Sequence, residues 1–201
     1  MLDTRARALV QPVLEIIARA CARVGISANA LTLTGMLSGV AAAGLVASGW
    51  SRWGVATLWI SGTLDAADGT LARMTRSSPL GAIMDITSDR VVEVAMILAL
   101  AWRYPAARLE LLVLTGVIVI AMSLFLSIAA AVVNHSAKSF HYAPGLGERT
   151  EAFVCLSLMT LNGTHLRVWT WVFIGVIVVT IVQRFAQVRR LLSGSNGTKR
   201  G

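Results

Sequence analysis

Four aspartates fall within the stretch DAADGTLARMTRSSPLGAIMDITSD, which separates two strongly apolar segments: Asp65 and Asp68, then Asp85 and Asp89. On a helix, Asp65, Asp68 and Ala72 stand at i, i+3 and i+7 and share a face, while Asp85 and Asp89 lie one turn apart on a face of the next segment. Two carboxylate pairs can therefore converge across a helical hairpin. Gathered in a low-dielectric pocket they repel one another unless a cation neutralises them. Oxygen-only ligands, without His or Cys, select a hard divalent ion: Mg²⁺ first, with Mn²⁺ or Ca²⁺ also accommodated. Gly69 and Ala72 leave room for a ligand to approach the backbone, and Arg73 carries the planar donor fork that suits phosphate. That combination is the equipment of phosphoryl transfer, in which catalysis is mostly positioning and charge neutralisation. The competing reading is a structural one, with aspartates paired to Arg73 or Arg90 to hold the bundle, but two arginines do not neutralise four buried carboxylates. Glu93 continues the Asp85–Asp89 face one turn deeper, beside Arg90, and reads as half of a structural ion pair.

These carboxylates need a scaffold, and composition defines it. Of 201 residues, 56% are hydrophobic and 14% charged, with a mean hydropathy of +0.70, far more apolar than a soluble domain. The chain reads as an all-α integral membrane protein, because helices satisfy their own backbone hydrogen bonds in lipid and roughly 20 residues cross the hydrocarbon core. Residues 1–192 read as one membrane domain and 193–201 as a disordered Ser/Gly/Lys/Arg tail. Six spans are expected near 29–49, 53–74, 80–102, 109–133, 150–161 and 168–188. Asn29 is the expected N-cap of the first, and Gly35, Gly39 and Gly44 on it permit close helix contacts. Before them, residues 4–24 alternate apolar and basic positions at helical spacing, which predicts an amphipathic helix in the interface rather than a cleaved leader. No internal repeat is visible. Cys21 and Cys155 sit in apolar helical contexts and read as core residues.

The net charge of +8 reads as topology and contact with anionic lipid; no aromatic-interleaved basic tract points to nucleic acid. With this layout, 13 Lys and Arg fall on the side of both termini, and Arg52, Arg103, Arg108 and Arg167 fall opposite. The positive-inside rule then puts both termini, and the cytoplasmic ends of spans two and three with the aspartates, at the cytoplasm.

The stretch resembles the signature of the CDP-alcohol phosphotransferase (CDP-alcohol phosphatidyltransferase) family, D-x-x-D-G-x-x-A-R followed by G-x-x-x-D-x-x-x-D, with every defined position filled by Asp65, Asp68, Gly69, Ala72, Arg73, Gly81, Asp85 and Asp89. The connection from Arg73 to Gly81 is one residue shorter than the family's usual one. A second match is SANALT, similar to the family's Pro-Asn-x-x-Thr element, in which Asn29 and Thr32 are kept and Ala28 stands for proline. The resemblance implies six helices around a polar cavity open to the cytoplasm, a homodimer, and a CDP-linked lipid donor, commonly CDP-diacylglycerol, with CMP as leaving group. It implies two ions, Mg²⁺ or Mn²⁺, on Asp65, Asp68, Asp85 and Asp89, and no organic cofactor. Asn29, Thr32, Gly69, Ala72, Arg73 and Gly81 would bind the donor, and Asp89 would accept the proton of the acceptor hydroxyl.

For the acceptor, the loop residues Lys138, His141, Tyr142 and Arg149, with Arg184 and Arg189 at the end of the last span, offer a cationic pocket suited to inositol phosphate or glycerol phosphate. Positive-inside topology alone would put the same charges there, and serine, inositol or a lipid acceptor also fits the family. The rival from another class is a divalent-cation transporter, which needs charge spread through the membrane depth; here the carboxylates gather near one side.

Overall fold

The computed structural model describes the backbone of residues 2–135 and 149–197, and the side chains of residues 10–131 and 150–189. Seven α-helices follow one another: α1 (Leu2–Arg23), α2 (Ala28–Ala47), α3 (Ser51–Met74), α4 (Pro79–Arg103), α5 (Arg108–His135), α6 (Arg149–Leu161) and α7 (Leu166–Gly197). Single 3₁₀ turns precede α5 and α7, and the described residues contain no strand.

Local chemistry sets the boundaries that matter for the site. α1 stops because Gly25 adopts φ +77°, the left-handed conformation that closes a helix, and Ile26 N–H returns to Cys21 C=O at 2.9 Å. The chain restarts at once, with Ser27 in an extended conformation and its Oγ accepting from Ala30 N–H at 3.2 Å. Ser27, and not Asn29, is therefore the N-cap of α2; the glycine stop two residues upstream fixes that register and leaves Asn29 inside the first turn. α4 starts in the same way: Ser78 Oγ accepts from Gly81 N–H at 3.0 Å and Pro79 occupies the first turn, where its missing N–H costs nothing.

α2 is the wedge of the bundle. It packs against both α3 and α4, which scarcely touch each other directly. The contact is possible because two of its residues lack side chains. Ser61 Oγ of α3 donates to Gly35 C=O at 2.7 Å, and a Cβ at Gly39 would stand 2.6 Å from Val92 Cγ1 of α4 and 2.9 Å from Ser61 Oγ. Gly44, expected to serve the same purpose, faces open space and no neighbour; it lies on the exposed side of α2. The main core joins α2 through α7 around Leu58, Met96, Leu100, Leu111, Leu156 and Phe173, and a second, smaller cluster docks Leu14 and Ala18 of α1 on Leu31 of α2 and on Ala67 and Leu71 of α3.

Among the described residues, three helices have the length and apolarity to cross a membrane: Ala28–Ala47, Pro105–Ala131 and Gly163–Arg189. α3 and α4 are long enough but carry the acidic and basic residues of the site, and α6, with 13 residues, extends only about 20 Å. α7 has 32 residues and runs through Gly197, so residues 193–197, expected in a disordered tail, are helical. Extending an established helix adds a hydrogen bond per residue without a new nucleus, which carries it past Ser193 and Gly194. At the end of the bundle away from the termini, three of the four arginines are spent on the structure. Arg103 donates to Ser51 Oγ at 2.8 Å, Arg108 to Ala101 C=O at 3.0 Å, and Arg167 pairs with Glu110 at 3.0 Å. Trp50, Trp53 and Trp102 are exposed beside them, as expected of an interfacial aromatic belt. Cys21 and Cys155 are free thiols in the packed interior, partly and fully buried.

Candidate active site

Where α3 ends and α4 begins, the gap held open by α2 is a cavity of about 180 Å³. α2 contributes Asn29 and Thr32 to its floor. α3 lines one wall with Asp68, Gly69, Ala72 and Arg73, and α4 the other with Gly81 and Asp85. Eight residues singled out in the sequence thus meet around one space. Gly81 brings the start of α4 close to α2, since a Cβ there would stand 3.1 Å from Asn29 Oδ1 and 3.2 Å from Ser78 Oγ. At Gly69 the only neighbour of an added Cβ would be Arg73 Nη1 at 3.5 Å, so that side of the cavity is open.

Asp65, Asp68 and Asp85 each offer an oxygen within 4.8 Å of the others. Asp65 and Asp68 are buried on α3 and Asp85 is partly exposed. Asp68 lies within hydrogen-bonding reach of the Thr32 hydroxyl and of Gly69 N–H, yet its Oδ2 is buried with no hydrogen-bond partner. A buried, unsatisfied anionic oxygen beside two more carboxylates is costly by itself. The donor set fits a hard divalent cation, since three carboxylate oxygens without His or Cys are the ligands such an ion takes. Asp89 stands one turn below Asp85, within electrostatic reach of Asp85 and Asp68, and its Oδ2 is 4.0 Å from Arg90 Nη2. It lies outside the three-carboxylate group. Glu93 pairs with Arg90 as the sequence predicts.

Arg73, exposed at the cavity wall, donates to Thr70 Oγ1 at 3.0 Å. Beside it the cavity is lined by Arg76, Ser77 and Ser78, which were not singled out as site residues. For Ser78 the signal was present, because a serine directly before a proline at a helix start is an N-cap pattern. Arg76 gave none beyond its place in the turn. Of the acceptor candidates, Lys138, His141 and Tyr142 lie outside the described residues, and Arg149 is described in its backbone alone, at the start of α6. Arg189 is exposed near the end of α7 and does not line the cavity; Arg184, a turn earlier, stacks over the Phe125 ring of α5 at 5.2 Å.

The sequence profile of the CDP-alcohol phosphatidyltransferases matches residues 25–183, a range that spans α2 to α7 and includes every wall of the cavity. The chain belongs to that family. It is a transferase that works with a divalent metal and moves a substituted phosphoryl group from a CDP-linked alcohol to a hydroxyl acceptor. The chain is 31% identical over 79% of its length to the inner membrane protein YnjF of Escherichia coli, covering 81% of that protein. It is 29% identical over 92% of its length to the phosphatidylinositol phosphate synthase of Corynebacterium glutamicum, covering 87% of it. Among solved structures, the phosphatidylinositol phosphate synthase PgsA1 of Mycobacterium tuberculosis with manganese and citrate superposes with a TM-score of 0.68 at 25% identity, covering 87% of this chain and 88% of the other. The same enzyme with CDP-DAG bound gives a TM-score of 0.70 at 24% identity, with 87% and 92% covered.

Proposed function

We propose that this chain transfers the phosphatidyl group of CDP-diacylglycerol to an inositol phosphate, releasing CMP, at the cytoplasmic face of the membrane. The observation that carries the reading is the cluster of Asp65, Asp68 and Asp85, with the orphaned Asp68 Oδ2, beside a cavity lined by Asp68, Asp85 and Arg73. The family supports a CDP-linked donor, and relatives that carry the name phosphatidylinositol phosphate synthase support the acceptor.

In this reading Asp65, Asp68, Asp85 and Asp89 hold two Mg²⁺ or Mn²⁺ ions. The metal supplies neutralisation of the donor's pyrophosphate charge. Arg73 binds a phosphate oxygen, Asn29 and Thr32 hold the donor from the floor, and Gly69, Ala72 and Gly81 let the nucleotide lie against the backbone. Asp89 accepts the proton of the acceptor hydroxyl, whose oxygen bonds to the lipid-side phosphorus as the bond from that phosphorus to CMP breaks. Lys138, Arg149 and Arg189 bind the phosphate of the acceptor. The single membrane domain, residues 1–192, crosses the bilayer six times, α1 lies in the interface with Arg19 and Arg23 at the headgroups, and two copies pair as a homodimer. Carboxylates at the end shared with the basic termini support the cytoplasmic orientation.

The test is CMP release from CDP-diacylglycerol by the purified protein with Mn²⁺ or Mg²⁺ and a panel of inositol phosphate, glycerol phosphate, inositol and serine. Release only with inositol phosphate is the expected result, and Asp89→Asn abolishes it while retaining donor binding. Release with another acceptor alone refutes the acceptor, and full turnover by Asp89→Asn refutes the role of Asp89.

A further inference from the structure

Residues 75–78 join α3 to α4, and the turn they form is pinned on both sides of Arg76. Thr75 donates to Leu71 C=O from its N–H at 2.9 Å and from its hydroxyl at 2.8 Å. Beyond Arg76, Ser77 Oγ donates to Ala72 C=O at 3.4 Å and Ser78 Oγ accepts from Gly81 N–H at 3.0 Å. Arg76 itself is exposed on the lining of the cavity and makes no hydrogen bond or ion pair among the described residues. Arg73, the other cation of that lining, is already engaged: it donates to Thr70 Oγ1 at 3.0 Å and lies within electrostatic reach of Asp68. A pyrophosphate that links two alcohols carries one negative charge on each phosphate. In the reading given above, divalent ions offset the carboxylates, so the charge of the donor falls to the protein's own cations. Arg73 supplies one, and Arg76 is the other cation on the same lining.

We infer that Arg76 is a donor-binding residue, which pairs with the donor's pyrophosphate alongside Arg73. The inference rests on the donor reading given above and adds a residue to it. A guanidinium offers phosphate oxygens a rigid fork of N–H donors and keeps its charge throughout the working pH range. Because the turn is pinned, binding orders the Arg76 side chain alone and not the backbone that carries it, which lowers the entropic cost of the contact. An exposed arginine also suits the phosphate of an anionic lipid headgroup. The position of Arg76 on one lining with Asn29, Thr32, Arg73 and Gly81 favours the pyrophosphate of the substrate, and experiment separates the two sources.

The experiment uses the full chain in neutral detergent with Mn²⁺ and measures binding of CDP, which carries a pyrophosphate and no lipid, by calorimetry. KM and kcat for CDP-diacylglycerol are read beside it. Arg76→Gln is expected to weaken CDP binding by about tenfold, the scale of one hydrogen bond to a charged group, and to raise KM by a similar factor with kcat unchanged. Arg76→Lys keeps the charge and loses the fork, so it recovers part of the loss, and Arg76→Glu binds CDP more weakly than Arg76→Gln. Mn²⁺ binding without nucleotide, followed by electron paramagnetic resonance, is not weakened in any of the three, which separates a lost phosphate contact from a disturbed carboxylate site. Wild-type CDP affinity in Arg76→Gln overturns the inference. So does a defect seen only in vesicles of phosphatidylcholine and phosphatidylglycerol and not with CDP in neutral detergent, which would make Arg76 a headgroup contact. If the wild type itself binds no CDP, the donor reading falls and the inference with it; if the wild type binds CDP and Arg76→Gln binds it equally, the inference falls alone.

Discussion

Replacing Asp68 by Asn separates the cost of this site from its use. The Asp68 ligand oxygen lies within 4.8 Å of those of Asp65 and Asp85. Two unit charges at that separation repel by about 3 kcal/mol at an effective dielectric near 20. Asp85 is partly exposed, so its share is screened, and relaxation takes more; a net relief of about 2 kcal/mol is a reasonable expectation for the metal-free protein at pH 8. Asn keeps the shape and an oxygen for the Thr32 hydroxyl, and its NH₂ replaces the orphaned Oδ2. The metal-free variant should therefore melt above the wild type, by about 4–8 °C for a chain of this size. In Mn²⁺ the order reverses. The wild type gains about 2.7 kcal/mol at a concentration of 100 times its dissociation constant, and the variant gains little and transfers no phosphatidyl group. Both curves come from the intrinsic fluorescence of the six tryptophans on heating in detergent, with chelator or with Mn²⁺. An Asp68→Asn protein that melts at or below the wild type in chelator and keeps its Mn²⁺ shift would refute the argument, because it would mean that Asp68 is neutralised within a structural network.

Two further substitutions test the packing that makes the cavity. Gly81→Val puts a branched side chain where even a Cβ lies 3.1 Å from Asn29 Oδ1 and 3.2 Å from Ser78 Oγ; KM for the CDP lipid should rise by about tenfold, the change that about 1.4 kcal/mol of lost binding gives, and the melting temperature, read on the same instrument, should fall as the crowding is relieved. Gly39→Leu collides with Val92 and Ser61 in the α2 wedge, where overpacking typically costs about 1–3 kcal/mol and a full leucine more; the expected result is loss of a monodisperse peak on size exclusion and of CMP release together.

Much of the site was legible because its chemistry is local. Asp65, Asp68, Gly69, Ala72 and Arg73 occupy three turns of one helix, and helical periodicity alone places them on a common face. Asp85 and Gly81 came with them through the hairpin. The helix ends were legible within two residues where glycine and proline mark them, and the one misplaced cap, Asn29 for Ser27, followed from passing over Gly25 as the stop of α1. Tertiary relations were less visible. Nothing in the order of α2, α3 and α4 announces that α2 holds the other two apart, or that Gly39 meets a partner while Gly44 meets none; both are small residues in an apolar run, and only the neighbouring helices distinguish them. The stability of the α7 end was misjudged for a similar reason, as composition describes residues 193–197 but not the helix already running into them.

The wedge also explains where along their helices the carboxylates gather. Near Gly39, α2 lets α3 and α4 approach its backbone, and the space fills with Val92 and Ser61. Toward its N-terminus α2 carries Asn29 and Thr32 instead, and at that level the three helices line a cavity. The same helix thus closes the bundle at one level and opens it a few turns away, and acidic residues are tolerable only at the open level, where water and a cation can reach them. Farther along α4 the next carboxylate, Glu93, pairs with Arg90 and stands apart from the three-carboxylate group, so the acids of this one helix divide between the cavity and an ion pair.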